Sequence, residues 1–194
     1  MRQRHIGKVI TGIITIIWMA IIFAFSAQPA QQSSQISGGV AYRIAEWQSN
    51  LFHLEKTQLE LSAQAKAMQL MIRKGAHIGE YALLAFLLCL HLSFYTAKDI
   101  PNESSGSARV FSGLNRFADI RQIILPVVVI TAGYAATDEF HQLFVPGRAG
   151  KLTDVFIDSL GGSLGIIFYH ILQKYLPPVL WHIHIKAHYT KGKR

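Results

Sequence analysis

Two groups of polar and ionisable residues interrupt an otherwise apolar chain. The first comprises Arg73-Lys74, His77, Glu80 and Tyr81; the second comprises Asp138-Glu139, His141-Gln142, Arg148, Asp154 and Asp158. A histidine beside carboxylates is equipped for general acid–base chemistry, which makes His77, Glu80, Asp138, Glu139 and Asp154 the candidate catalytic residues. Lys74 and Arg148 suit phosphate or carboxylate, the arginine as a two-pronged donor. Together with Tyr81, Gln142 and Asp158 they form the candidate substrate-binding set. His77, Asp138, His141 and Asp154 are also ligand types for a divalent metal. Their spacing matches no established motif such as His-Glu-x-x-His, and there is no P-loop. These residues assign neither a metal nor a cofactor.

The elements that must position them are apolar helices. Of the 194 residues, 51% are hydrophobic and 15% charged, which is ordinary for a small integral membrane protein and unusual for a soluble domain. The formal charge is +8, but the basic residues collect beside the apolar runs and near the C-terminus, as in membrane proteins. No nucleic-acid recognition motif accompanies the charge, so nucleic acid is not a partner on this reading. Cys89 is the single cysteine and excludes an intrachain disulfide.

Four runs are candidate spans: 9–27, 75–95, 122–138 and 155–176. The first follows Arg2, Arg4 and Lys8 and is long enough to cross a hydrocarbon core of about 30 Å. It resembles a secretory signal, yet exceeds the usual apolar core of one, and reads as an uncleaved helix. Pro126 lies inside the third run, where neighbouring helices can satisfy the freed carbonyl. Between the first two runs, Pro29, a Gln/Ser cluster and Gly38-Gly39 read as a break. After it, residues about 40–72 place apolar side chains at helical spacing among charges. This predicts an amphipathic segment on the membrane surface or a helical hairpin packed on the core. The patch of Val110, Phe111 and Leu114 is expected against headgroups, and 177–194 forms a basic tail whose His182 and His184 read as interfacial rather than metal-binding. The fold class is therefore all-α integral membrane, in a single domain, with four transmembrane helices and an amphipathic helical segment between the first and second.

Four spans put both termini on one side. If that side is cytoplasmic, twelve Lys and Arg lie inside and seven outside, as the positive-inside rule requires. The two polar groups then both fall at the outer face. His77, Glu80 and Tyr81 share one side of a helix by their three- and four-residue spacing, and so do Asp138 with Gln142 and Asp154 with Asp158. Gly161 and Gly165 form a small-xxx-small pair that admits a neighbouring backbone. Charges in lipid are costly, so these faces should turn inward and converge across three helices, with Arg148 beside Asp154 or Glu139.

The order of these residues resembles the VanZ-like family of small bacterial membrane proteins. The carrying features are Lys74-x-x-His77-x-x-x-Tyr81, Asp138-Glu139-x-x-Gln142, Pro146-x-Arg148, and Asp154 with Asp158 and Gly161, together with Phe25-Ser26 and Gln28-Pro29. Many members carry Asn where this chain has Asp158, so the resemblance does not require that side chain to titrate. It implies a multi-pass protein of the bacterial cell membrane, associated through the family's named member with resistance to teicoplanin, a glycopeptide with a fatty chain. The first functional reading is a factor that binds membrane lipid, a cell-wall precursor or the glycopeptide itself at the outer face. The second is an intramembrane enzyme acting on a lipid-linked substrate. A transporter would need more helices than four and hence a dimer, and the sequence leaves the oligomeric state open. The plainest reading is that the polar groups only hold the helices together.

Overall fold

The computed structural model describes the backbone at residues 2–96 and 108–175 and the side chains at 5–95 and 121–175. The tail at 177–194 and the side chains of Val110, Phe111 and Leu114 lie outside the described residues. Among the described residues five helices follow in order: α1 (Arg2–Ser26), α2 (Ala30–Leu51), α3 (Gln58–Thr96), α4 (Ala108–Gln142) and α5 (Leu152–Tyr175). All but α2 are long and apolar enough to cross a membrane. Their outward faces are apolar: Ile13, Ile14 and Ile17 on α1, Leu125 and Val129 on α4, and Leu160, Leu164 and Phe168 on α5. The interior, centred on Ile22, Tyr81, Leu84, Cys89, Val127 and Tyr169, is where the buried polar groups also sit. A helix bundle that faces lipid has this distribution.

The segment between the first two spans differs in its boundaries from the sequence expectation. Gly38 and Gly39 do not break the chain; α2 begins directly after Pro29 and runs through both. Its stripe of small residues, Ser37, Ala41, Ala45 and Ser49, is buried at four-residue spacing. α2 packs on α3, whose Leu61 and Ala65 are also buried. Gln69 Nε2 donates to Ser34 O (2.6 Å) and Gln64 Nε2 to Gln48 Oε1 (2.9 Å), closing a helical hairpin. Its second arm is no separate surface helix. Thr57 and Glu60 form a capping box, with Thr57 N–H donating to Glu60 Oε2 at 2.8 Å, and α3 runs on unbroken from there. At 39 residues α3 is about 58 Å long, nearly twice the hydrocarbon thickness of about 30 Å.

α3 and α5 run parallel and make the closest interface. A Cβ on Gly161 would stand 2.5 Å from Ile78 O, and one on Gly165 would overlap Ala82 O. The small-xxx-small pair thus lets two backbones touch, as its spacing predicts. In lipid, where no hydrophobic driving force brings helices together, such packing supplies much of the association. α4 continues through Pro126 and is tied to α1 where Tyr134 Oη donates to Met19 O (2.6 Å).

Candidate functional site

The ends of α1 and α4, the start of α5 and the middle of α3 meet at one end of the bundle. Asp138, on the last turn of α4, is 1% exposed. Its Oδ2 accepts from Ser26 Oγ of α1 at 2.7 Å and from Gln142 Nε2 at 3.2 Å. The same Gln142 amide donates to Glu139 Oε1 at 3.0 Å, and the Lys151 backbone N–H donates to Glu139 Oε2 at 2.9 Å. Lys74 of α3 pairs with Asp154 Oδ1 on the first turn of α5, a placement the α5 dipole also favours for the acid. Both side chains of this pair keep partial exposure, so it fixes geometry more than it adds stability.

Arg148 meets the sequence expectation only in part: Glu139 acts on it electrostatically, but no carboxylate bonds to it. Among the described residues it forms no ion pair. Its Nε donates to Gln28 O (2.8 Å), Nη2 to Phe25 O (3.1 Å) and Nη1 to Gln142 Oε1 (3.3 Å). A guanidinium here closes the C-terminus of α1, whose last carbonyls have no partner within the helix. Its hydrogen-bond link to the acids runs through the Gln142 side chain, which also bonds Asp138 and Glu139. Gly147, at φ +74°, makes the turn that presents it, a conformation open to glycine. Ala30 N–H donates to Pro146 O (3.1 Å), so the same turn also anchors the start of α2. Partial burial and the neighbouring Arg73 charge hold the Arg148 pKa below its usual value, with Asp138, Glu139 and Glu80 acting the other way. It remains a cation at any physiological pH.

These groups border a cavity of about 490 Å³. Lys74, His77, Glu139, Gln142, Arg148, Asp154 and Asp158 all line it, with Leu70 and Ala30 from the hairpin root and Ile157 from α5. Glu80, Tyr81 and Asp138 are not among its lining residues; each is within electrostatic reach of the group. All ten predicted site residues are therefore brought to one end of the bundle. His77 Nδ1 and Glu80 Oε2 lie 3.5 Å apart. That separation satisfies an ion-pair cutoff, but both atoms remain buried without a hydrogen bond. A contact this long is at the limit of useful geometry. Tyr81 Oη, Asp138 Oδ1 and Asp158 Oδ2 are likewise buried without a partner. Buried polar atoms are normally satisfied, and here several without a partner are gathered at one end of the bundle.

Two cations that line the cavity, Arg73 and Lys151, were not among the predicted site residues. Their signal was proximity: each directly precedes or nearly precedes a residue that was chosen, Lys74 and Asp154. His141 goes elsewhere, stacking on Phe23 with ring centroids 4.3 Å apart. Among the described residues no three His, Cys, Asp or Glu side chains are arranged to hold a metal ion, so the four candidate ligands do not form a set. Gly161-Gly162-Ser163-Leu164-Gly165 spells a Gly-x-Ser-x-Gly nucleophile motif. It lies mid-helix without the strand-to-helix turn that motif requires, and the exposed Ser163 Oγ donates to Ser159 O at 3.0 Å. Its role is the backbone contact with α3.

The sequence model of the VanZ/LLP1 family matches residues 11–173, most of the chain. The chain belongs to the VanZ/LLP1 family. Neither a curated protein nor a solved structure matches it. The family match takes in most of each of the four candidate membrane helices and every residue of the cavity. This VanZ-like protein is a multi-pass membrane protein with a charged cavity at one end of its spans.

Proposed function

We propose that this VanZ-like protein binds the polar headgroup of a membrane lipid, a lipid-linked cell-wall precursor or a lipoglycopeptide at the outer face of the bacterial cell membrane, and thereby contributes to resistance to glycopeptides such as teicoplanin. The observation that carries this is the cavity itself, bordered by both signs of charge at the end of a bundle whose other faces are apolar. Its volume, about 490 Å³, lies in the range of small-ligand sites, about 300–1,000 Å³. The positive-inside distribution supports the outer face, and family membership supports the link to resistance. In a susceptible host, expression of the wild type is expected to raise the teicoplanin concentration tolerated. Lys74→Ala is expected to abolish the gain at equal membrane abundance, because it leaves Asp154 unpaired at the cavity wall. Unchanged tolerance on wild-type expression would remove the resistance role.

The orientation has its own test. Lys151 is exposed beside the cavity, so Lys151→Cys, in a Cys89→Ala background, should react with a membrane-impermeant maleimide in intact cells. Labelling only after permeabilisation would move the site to the cytoplasmic face.

A second reading, an intramembrane enzyme, is favoured by one feature: the buried His77 Nδ1 and Glu80 Oε2 face each other without a hydrogen bond. Such a pair can exchange a proton with a bound substrate. Mass spectrometry of lipid-linked precursors incubated with purified protein, with and without EDTA, separates the two readings. A modified product establishes chemistry, and binding without one establishes the first reading.

A further inference from the structure

We infer that the cavity selects a zwitterionic headgroup, a phosphodiester carrying a primary ammonium, with the phosphate between Arg73 and Arg148 and the ammonium on Asp158. The inference rests on the headgroup-binding reading and names the chemistry of what is bound.

It follows from which groups are already satisfied. Among the cations, Lys74 is neutralised by Asp154, and Arg148 directs its donors to Phe25 O, Gln28 O and Gln142 Oε1. Arg73 lines the cavity and has no hydrogen bond or ion pair among the described residues. Its charge also repels that of Arg148. Two guanidinium groups that repel each other at a cavity wall are both relieved by one anion, and phosphate fits their planar donors.

Among the acids, Glu139 has a donor on each oxygen and Asp154 holds Lys74. Asp158 is different. It lines the same cavity, is 1% exposed, and its Oδ2 has no hydrogen-bond partner. Leaving such an oxygen unmet is costly, and as a carboxylate oxygen it is met by a donor. A primary ammonium provides three N–H donors and a compensating charge. A trimethylammonium provides the charge but no donor. A purely anionic headgroup would meet Arg73 and then lie against Glu139, Asp154 and Asp158.

Binding of short-chain phosphatidylethanolamine, phosphatidylglycerol and phosphatidylcholine to the purified full-length protein in detergent tests this, with soluble glycerophosphoethanolamine, the same phosphodiester without the acyl chains, as a fourth ligand. Phosphatidylethanolamine is expected to bind about tenfold more tightly than the other two lipids, the effect of one charge-assisted hydrogen bond. Asp158→Asn should reduce that preference to near unity without weakening phosphatidylglycerol. Arg73→Gln, at the rim, should weaken all three lipids by about tenfold. Competition by glycerophosphoethanolamine assigns the recognition to the headgroup alone, whereas its failure to compete assigns part of it to the lipid tails; the preference among lipids decides the inference either way. Phosphatidylglycerol binding as tightly as phosphatidylethanolamine overturns the inference and leaves headgroup binding standing. If Asp158→Asn does not fold, the wild-type preference together with Arg73→Gln still decides it. No binding of any lipid or lipid-linked precursor overturns the broader reading as well.

Discussion

Gly165→Ala is expected to destabilise the folded protein by about 3 kcal/mol, near the upper end for overpacking. The added methyl would overlap Ala82 O, and the equivalent atom on Gly161 would stand 2.5 Å from Ile78 O. The obstacles are backbone atoms of α3, which no side-chain rotation can move. α3 and α5 must separate, and with them go the Lys74–Asp154 pair and the position of Asp158 against the cavity. Gly133→Ala on α4 is the control, because its Cβ would meet nothing within 4 Å. There the change should be neutral or stabilising by about 0.5–1 kcal/mol, from the better helix propensity of alanine. Thermal unfolding in detergent reads both. Equal melting of the two variants would mean that α3 and α5 do not pack backbone to backbone.

Arg148→Ala should have the next largest effect, about 2–4 kcal/mol, from the loss of charge-assisted bonds to Phe25 O, Gln28 O and Gln142 Oε1. Three segments are joined by that one side chain: the end of α1, the end of α4, and the turn carrying Arg148 itself. Arg148→Lys keeps the charge but replaces the planar fork with a single point of donation, which cannot span acceptors on two helices. It should recover less than half of the lost stability. Full recovery by lysine would show that charge alone suffices and that the bridging geometry is incidental.

The contrast between these two residues shows what the sequence could and could not reveal. Gly161 and Gly165 were legible because the relation between them is local: four residues apart on one helix, facing one neighbour. The same holds for Asp138 with Gln142, which are hydrogen-bonded as their spacing implies. The convergence of the ten site residues was legible at one remove, since charge in lipid has few places to go. The partners of Arg148 were not legible. They are backbone carbonyls 120 and 123 residues away, and a carbonyl carries no signature of residue type. Asp138 likewise finds its partner in the hydroxyl of Ser26, not in a cation. The start of α3 was misplaced because Arg73-Lys74 looks like an interfacial boundary, and hydropathy cannot tell a helix that begins there from one that passes through. The capping box at Thr57 and Glu60 was the clue that it passes through.

That unbroken helix has a consequence for how the chain can vary. From Gln58 to Lys74 no loop separates the hairpin from the cavity wall. Each residue inserted or deleted there would turn the hairpin by about 100° about the α3 axis and shift it by about 1.5 Å relative to the site. α2 would swing away from the Pro146–Arg148 turn that now receives its first N–H. Even a change of about seven residues, which restores the angle, shifts the hairpin by about 10 Å along the axis, so this stretch tolerates little change of length, whereas the turn at 52–57 can absorb single residues. The hairpin and the charged cavity are locked in phase, like two gears on one shaft.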